Sequence, residues 1–215
     1  LKSMILTLRK PLNLNLPTPQ ISDNLKIANG LIWIPELLAP TQQQRLLKRI
    51  HAFAGQTLLN LPFYHRQQYY GWVEKPTYDL SRLTRKRDYL GAMPDWLNTV
   101  RRRLRPWMRR CDQIVVCTTM AVCPLSCPSD RTFHTLAPGL HLDHSKNFGN
   151  AIATISLSPL KMLFRRGMRE PIAVELDAGD ALIMHDEMRY QWLHQVVFDE
   201  KISQTFLTIR SINRH

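Results

Sequence analysis

The chain has 215 residues, enough for one domain with a sizeable core, and its 44% hydrophobic and 21% charged content excludes an intrinsically disordered protein. Lys plus Arg is 29 against 17 Asp plus Glu, a net charge of +12, which points to polyanionic partners: nucleic acid first, an anionic membrane surface second. No apolar run approaches the ~20 residues of a spanning helix, so no membrane insertion is expected. The apolar patch at 1–8 is too short and too interrupted for a signal peptide, and Leu1 leaves two readings, a trimmed start or a start at Met4. Four cysteines do not make a disulfide framework; they suit a reducing, cytoplasmic protein.

Residues 1–29 read as an irregular N-terminal leader, with Pro11, Pro17 and Pro19 breaking helices and Asn13, Asn15 and Asn24 favouring turns. Residues 31–34 read as a short buried strand. A helix is predicted from Thr41, with Gln44 at capping-box spacing, Leu46, Leu47, Ile50 and Phe53 on one face, and Gly55 at its end. Residues 62–92 show no helix; they interleave Tyr64, Tyr69, Tyr70, Trp72, Tyr78 and Tyr89 with Arg66, Lys75, Arg82, Arg85, Lys86 and Arg87. A second helix from about Asp95 buries Trp96, Leu97, Val100 and Leu104, turns Arg101, Arg102, Arg103 and Arg105 outward, and is kinked or ended by Pro106. From residue 112 the pattern becomes short strands, predicted at 113–116, 151–157, 162–165, 172–176, 181–184, 194–198 and 202–209. The layout is helices first and β-core second, a mainly β chain with flanking helices (α+β), and the serial short strands argue a sandwich or barrel.

The chemistry-bearing signal is His141-Leu142-Asp143. On a strand, positions i and i+2 point the same way, so imidazole and carboxylate project together and can share one metal. A third ligand must come from elsewhere, and His194, beside Trp192 at the head of a later apolar strand, is the candidate. Two His and one carboxylate form the facial triad that leaves open positions on a non-haem Fe(II). Taken alone, such a spacing also arises from ordinary hydrogen-bonded histidines.

Several segments, in order, resemble the AlkB-like family of Fe(II)- and 2-oxoglutarate-dependent dioxygenases. Residues 30–38, GLIWIPELL, with the Gln-rich helix after them, resemble the family's opening segment. Residues 66–72, RQQYYGW, resemble its nucleotide-recognition lid, and 93–97, MPDWL, the passage that follows. His141-Leu142-Asp143 with 151–157, AIATISL, resembles the first ligand strand and its successor. Residues 179–184, GDALIM, and 189–194, RYQWLH, resemble the approach to the distal His. The resemblance implies a dioxygenase domain over 30–215, with helices and lid in 30–110 and a double-stranded β-helix (jelly-roll) core in 111–215. It implies Fe(II) held by His141, Asp143 and His194, with 2-oxoglutarate and O2 as co-substrates. It also implies an oxidative dealkylase of nucleic acid, DNA or RNA, with DNA repair and RNA modification as the matching roles. Tyr70, Trp72, Tyr78 and Arg66 are the candidate substrate contacts, since chemistry on a base requires holding it out of the stack between flat side chains. A monomer is favoured, although nothing in the sequence sets the oligomeric state.

Two departures from the family pattern stand out. Residues 117–138 lack the Asn and Tyr the family places before the iron His and hold Cys117, Cys123 and Cys127 instead. This stretch reads as a remodelled loop or as a reading-frame error in the source sequence, and its spacings do not suit a structural zinc site. The last strand has two registers. One puts Lys201 at the first of the family's two arginines; the other puts Arg210 at the second and Gln204 at the first. They differ by three residues and so present opposite faces. Lys201 and Arg210 both remain candidates for the 2-oxoglutarate carboxylate. The alternatives are a protein or small-molecule hydroxylase of the same family, or a nucleic-acid-binding β-domain whose activity the 117–138 stretch has impaired.

Overall fold

A computed structural model of the protein describes residues 25–52, 65–74, 87–119, 140–143, 145–199 and 202–213. Its strands are β1 (Leu25–Ala28), β2 (Leu31–Ile34), β3 (His65–Glu74), β4 (Arg87–Tyr89), β5 (Gln113–Thr119), β6 (Phe148–Ser156), β7 (Leu160–Arg165), β8 (Ile172–Leu176), β9 (Ala181–His185), β10 (Leu193–Val197) and β11 (Gln204–Ile212). Eight of them form one sheet in the order β1-β2-β9-β6-β11-β5-β3-β4, and three form a second, β10-β7-β8. The described pairs are antiparallel, and the two sheets face each other as a jelly roll.

The large sheet is buried on both faces, and side-chain parity shows which face each residue serves. Along β5, Ile114 and Val116 join the core beneath the helices, while Val115 and Cys117 face the small sheet. Along β9, Ala181 and Ile183 take the helix side, and Leu182 and Met184 take the inter-sheet side. Burial on both faces explains why these strands read as continuous apolar runs, with little polar alternation to betray their register.

The helix side is covered by α1 (Pro40–Ala52) and by a single 3-10 turn, Asp95–Leu97, that runs into α2 (Asn98–Leu104). Leu46 and Ile50 of α1 and Val100 and Leu104 of α2 fill this core. The helix begins one residue before the predicted Thr41. Pro40, with its preset φ, takes the first turn, and the Ala39 N–H donates to Gln42 Oε1 (3.0 Å), so Gln42 closes the cap in place of Gln44. Gln43 Nε2 donates to Leu38 O (2.7 Å) and Ala178 O (3.1 Å), tying the helix start to the turn between β8 and β9. Phe53 and Gly55 lie outside the described residues.

Several elements differ from expectation, among them β3 and β4, which fall where no strand was predicted. The end of the supposed leader is a strand, since β1 pairs with β2. The last strand begins at Gln204, two residues after the predicted start, and continues to Ile212. A short helix, α3 (Asp186–Gln191), interrupts the chain between β9 and β10; Asp186 enters it with a left-handed backbone, φ 46°. Its six residues are too few for a periodic signal.

Candidate metal centre

His141 and His194 meet through one isolated antiparallel bridge. The His141 N–H donates to His194 O (3.1 Å), and the His194 N–H donates to His141 O (2.9 Å). Residues directly opposite on such a bridge place their side chains on one face. The two imidazoles accordingly stand with centroids 4.6 Å apart, tilted 46°. Asp143 follows the bridge in irregular backbone rather than on a strand, so the i, i+2 argument succeeds here through a bridge and a turn. One ligand atom from each of His141, Asp143 and His194 lies within 4.8 Å of the others, and this is the metal-competent cluster among the described residues.

Asp143 is gripped at two places. Arg210 donates from one terminal nitrogen to its Oδ1 (2.7 Å), and Arg189 donates to its backbone carbonyl (2.9 Å). Burial opposes ionisation of the Asp143 carboxyl, yet the Arg210 guanidinium and then the His194 ring hold it well below the usual carboxylate range. A permanently ionised carboxylate is what a hard divalent cation requires. Arg210 is itself braced: its other terminal nitrogen donates to Gln113 Oε1 (3.0 Å), and its guanidinium lies over the Phe148 ring at 4.9 Å. The Gln113 amide also donates to the Trp72 carbonyl (2.7 Å). An unbroken chain of contacts therefore runs from Trp72 through Gln113 and Arg210 to Asp143.

Asp143 Oδ2, His194 Nδ1 and Arg210 Nε are buried without a hydrogen-bond partner. His194 Nε2 stands 3.3 Å from Asp143 Oδ2, a close approach that does not satisfy that oxygen. Orphaned donors and acceptors of this kind are costly unless a ligand takes them up. Two imidazoles, a carboxylate and an open side fit Fe(II). Beside them lies a cavity of about 110 Å3, lined by His141, His194, Thr208, Arg210, Met162 and Phe206 among others. Phe206, Thr208 and Arg210 share one face of β11, and Arg210 lines the cavity. Gln204, the other position of that register, is occupied elsewhere: its amide donates to Pro159 O (2.9 Å) and accepts from the Asp199 N–H (3.1 Å). Among the described residues, Arg210 is the cation of the cavity wall, and with the Thr154 and Thr208 hydroxyls it supplies a donor set that fits a 2-oxo acid.

A model of the 2OG-Fe(II) oxygenase superfamily matches residues 30–213. This chain belongs to that superfamily. A search of curated protein sequences finds no match. Among solved structures, the oxygenase resembles OsALKBH1 with a TM-score of 0.58 at 15% identity, covering 87% of this chain and 99% of that one. It also resembles a 2OG-Fe(II) oxygenase-family oxidoreductase from Burkholderia pseudomallei, with a TM-score of 0.56 at 11% identity over 85% and 84% of the two chains. The oxygenase is thus AlkB-like in fold, and Fe(II), 2-oxoglutarate and O2 are its cofactor and co-substrates.

The remaining predicted site residues divide. Trp72 sits on β3, half-buried, its ring 5.2 Å from that of exposed Tyr89. Tyr70 is a correction. It is buried, packs edge-on against Trp96 at 5.3 Å and donates to Gln68 Oε1, so it belongs to the helix-side core and cannot stack on a substrate. Parity along β3 is the reason: Gln67 and Tyr69 line the cavity, and Tyr70 points the other way. Arg66 pairs with Thr118 in the β3–β5 ladder. Tyr78, Lys201, Cys123 and Cys127 lie outside the described residues. Cys117 ends up on β5 in the cavity wall, where burial pushes its thiol up to about 12. Sequence reasoning missed Arg189 and Gln113. A fully buried Arg on a six-residue helix and a Gln opening a strand carry no pattern of their own; only their partners reveal them.

Proposed function

We propose that this oxygenase removes alkyl groups from nucleic-acid bases by oxidation. The observation that carries the reading is the composition of β3. This strand contributes Gln67 and the ring of Tyr69 to the metal cavity, and its Trp72, whose backbone carbonyl accepts from Gln113, stacks near Tyr89 in a hollow outside that cavity. A base taken out of its stack needs flat surfaces beside the reacting centre, and a chain of net charge +12 attracts the phosphates that accompany it. Tyr69 is the flat side chain in the cavity wall, and Trp72, in the neighbouring hollow, is the candidate stacking surface for an adjacent base; Arg66 and Tyr78 are carried as further candidate contacts.

When bound, Fe(II) with 2-oxoglutarate and O2 supplies the oxidant that hydroxylates a substrate C–H bond. On an N-methyl group the hydroxylated product loses formaldehyde and leaves the restored base. His141, Asp143 and His194 would hold the metal, each offering one ligand atom. Arg210 offers its unpartnered Nε to a 2-oxoglutarate carboxylate while fixing Asp143. Lys201 is the second candidate for the far carboxylate. Met162 and Phe206 give the cavity an apolar wall. Two of the four cysteines, Cys111 and Cys117, are free and buried, which fits the reducing cytoplasm where we place the enzyme.

The test is direct. N-methylated DNA and RNA oligonucleotides and a methylated peptide are incubated with enzyme, Fe(II) and 2-oxoglutarate, and formaldehyde and succinate are quantified. Formaldehyde released in step with repaired oligonucleotide supports the reading, and the better polymer names the substrate. Turnover with the peptide alone overturns it.

A further inference from the structure

α2 buries Val100 and Leu104, so Arg101, Arg102 and Arg105 stand exposed on its opposite side, and the turn after it exposes Arg109 and Arg110. These arginines do not project from a convex face. They line a hollow of about 650 Å3. A second hollow of about 490 Å3 adjoins it, sharing Asp95, Asn98, Arg101, Cys111 and Asp112, and reaches Trp72 and Tyr89. The two make one continuous groove, cationic along its length and aromatic at its end.

The acids in this groove are already engaged. Asp112 pairs with Arg110 (2.8 Å) and accepts the Ile212 N–H (2.8 Å); Asp95 accepts from Asn98 (3.0 Å). Arg101 is tied to Asn98 Oδ1 (3.1 Å). Arg102, Arg105 and Arg109 have no acidic partner among the described residues. Three uncompensated guanidiniums in a concave surface favour a partner that carries repeated negative charge.

The groove lies on the helix side of the large sheet and is joined to the support of the metal centre through the backbone. Its floor residue Asp112 donates its N–H to the Arg210 carbonyl (3.0 Å) and immediately precedes Gln113, the residue that joins Trp72 to Arg210. Gly71, opposite Gln113 in the ladder, has φ +79°, and a side chain there would collide with the Asp112 carbonyl. The close approach of β3 to Asp112 at this corner is thus built into the backbone. The link between the groove floor and the metal side is thus one backbone hydrogen bond at the end of the large sheet.

We infer that the groove of Arg102, Arg105 and Arg109, ending at the Trp72–Tyr89 pair, holds the phosphate backbone of a single nucleic-acid strand that the enzyme engages. The inference rests on the nucleic-acid reading above and names the surface that reading requires. A single strand fits because its bases are free to stack on the aromatic pair, whereas an anionic bilayer meets flat or convex faces.

The experiment measures binding of a methylated single-stranded oligonucleotide by fluorescence anisotropy over a salt series. It compares the wild-type chain with a triple variant, Arg102→Glu, Arg105→Glu and Arg109→Glu, and with the corresponding triple Lys variant. The acidic triple is expected to bind at least ~10-fold more weakly at low salt and to lose about two units of the slope of log K against log salt, near 0.7 per phosphate contact. The Lys triple keeps that slope. Basal 2-oxoglutarate turnover without nucleic acid stays unchanged in both; if the acidic triple fails to fold, the corresponding Gln triple replaces it. An acidic triple that binds like wild type overturns the groove and leaves the nucleic-acid reading standing. No oligonucleotide binding by the wild-type chain overturns both. Loss of binding to phosphatidylserine vesicles, with oligonucleotide binding intact, assigns the groove to a membrane surface and overturns the inference.

Discussion

Two groups of arginines on opposite sides of the large sheet do opposite work. Arg189 and Arg210 lie on the inner side, and each has committed partners: backbone carbonyls for Arg189, Asp143 and Gln113 for Arg210. Arg102, Arg105 and Arg109 lie on the outer side, exposed and without acidic partners among the described residues. A buried guanidinium must be hydrogen-bonded or it destabilises the fold, so the inner pair is structural machinery for the metal ligand. An exposed guanidinium costs little and is available for an external anion. The same residue type thus serves position on one side and recruitment on the other, and burial decides which.

Substitutions probe that contrast. The largest effect is expected at the ligand both inner arginines grip. Asp143→Ala abolishes turnover and weakens Fe(II) binding at least ~100-fold, because loss of an outer partner alone typically costs 10–100-fold. Metal titration and succinate release check it; full activity would remove Asp143 from the centre. Arg189→Met strips a donor from the Asp143 carbonyl and the Gly149 carbonyl. Stability falls by about 1.5–3 kcal/mol in urea unfolding, with a ~10-fold loss of Fe(II) affinity. An unchanged metal affinity would leave Arg189 a purely structural group.

Gln113→Leu leaves an Arg210 donor and the Trp72 carbonyl unmatched, at about 1–3 kcal/mol. KM for 2-oxoglutarate rises several-fold while Fe(II) affinity holds; an unchanged KM would show that Arg210 needs no brace. On the outer side, Arg102→Gln changes stability by less than ~0.5 kcal/mol, and a larger loss by thermal melting would mean that Arg102 has a partner in the fold. The smallest effect concerns Cys117. Burial raises its thiol to about 12, so the thiolate forms only as pH climbs toward that value, and at pH 8 roughly one thiol in 10,000 is ionised. Iodoacetamide at pH 8 should leave Cys117 unmodified in the folded chain and label it after unfolding, as read by mass spectrometry.

Much of the β-core was legible in advance. The strand at 172–176 was predicted with its observed bounds, and 181–184 within one residue, because apolar runs end sharply at turn residues such as Ala178-Gly179-Asp180. Asp180 shows what the run itself conceals. Its carboxylate accepts from Trp33 Nε1 (3.0 Å) and the Glu36 N–H (2.9 Å), joining the turn to a strand far along the chain. The triad was legible as residue types. Tyr70 was misread because a tyrosine among basic residues looks exposed, and only strand parity shows that it faces the core.

The order of residues by itself determined the strand-forming runs, the surplus of positive charge and the three candidate ligand side chains, because each depends on local composition or chemical type. Tertiary structure alone decided which strands became neighbours, that Arg210 lines the cavity while Gln204, on the same face of β11, is bonded to Pro159 and Asp199 instead, and that Arg189 reaches the Asp143 carbonyl. These are long-range pairings. A strand can present either face until its partners fix the register, and a charged side chain is buried or exposed only once the surface around it exists.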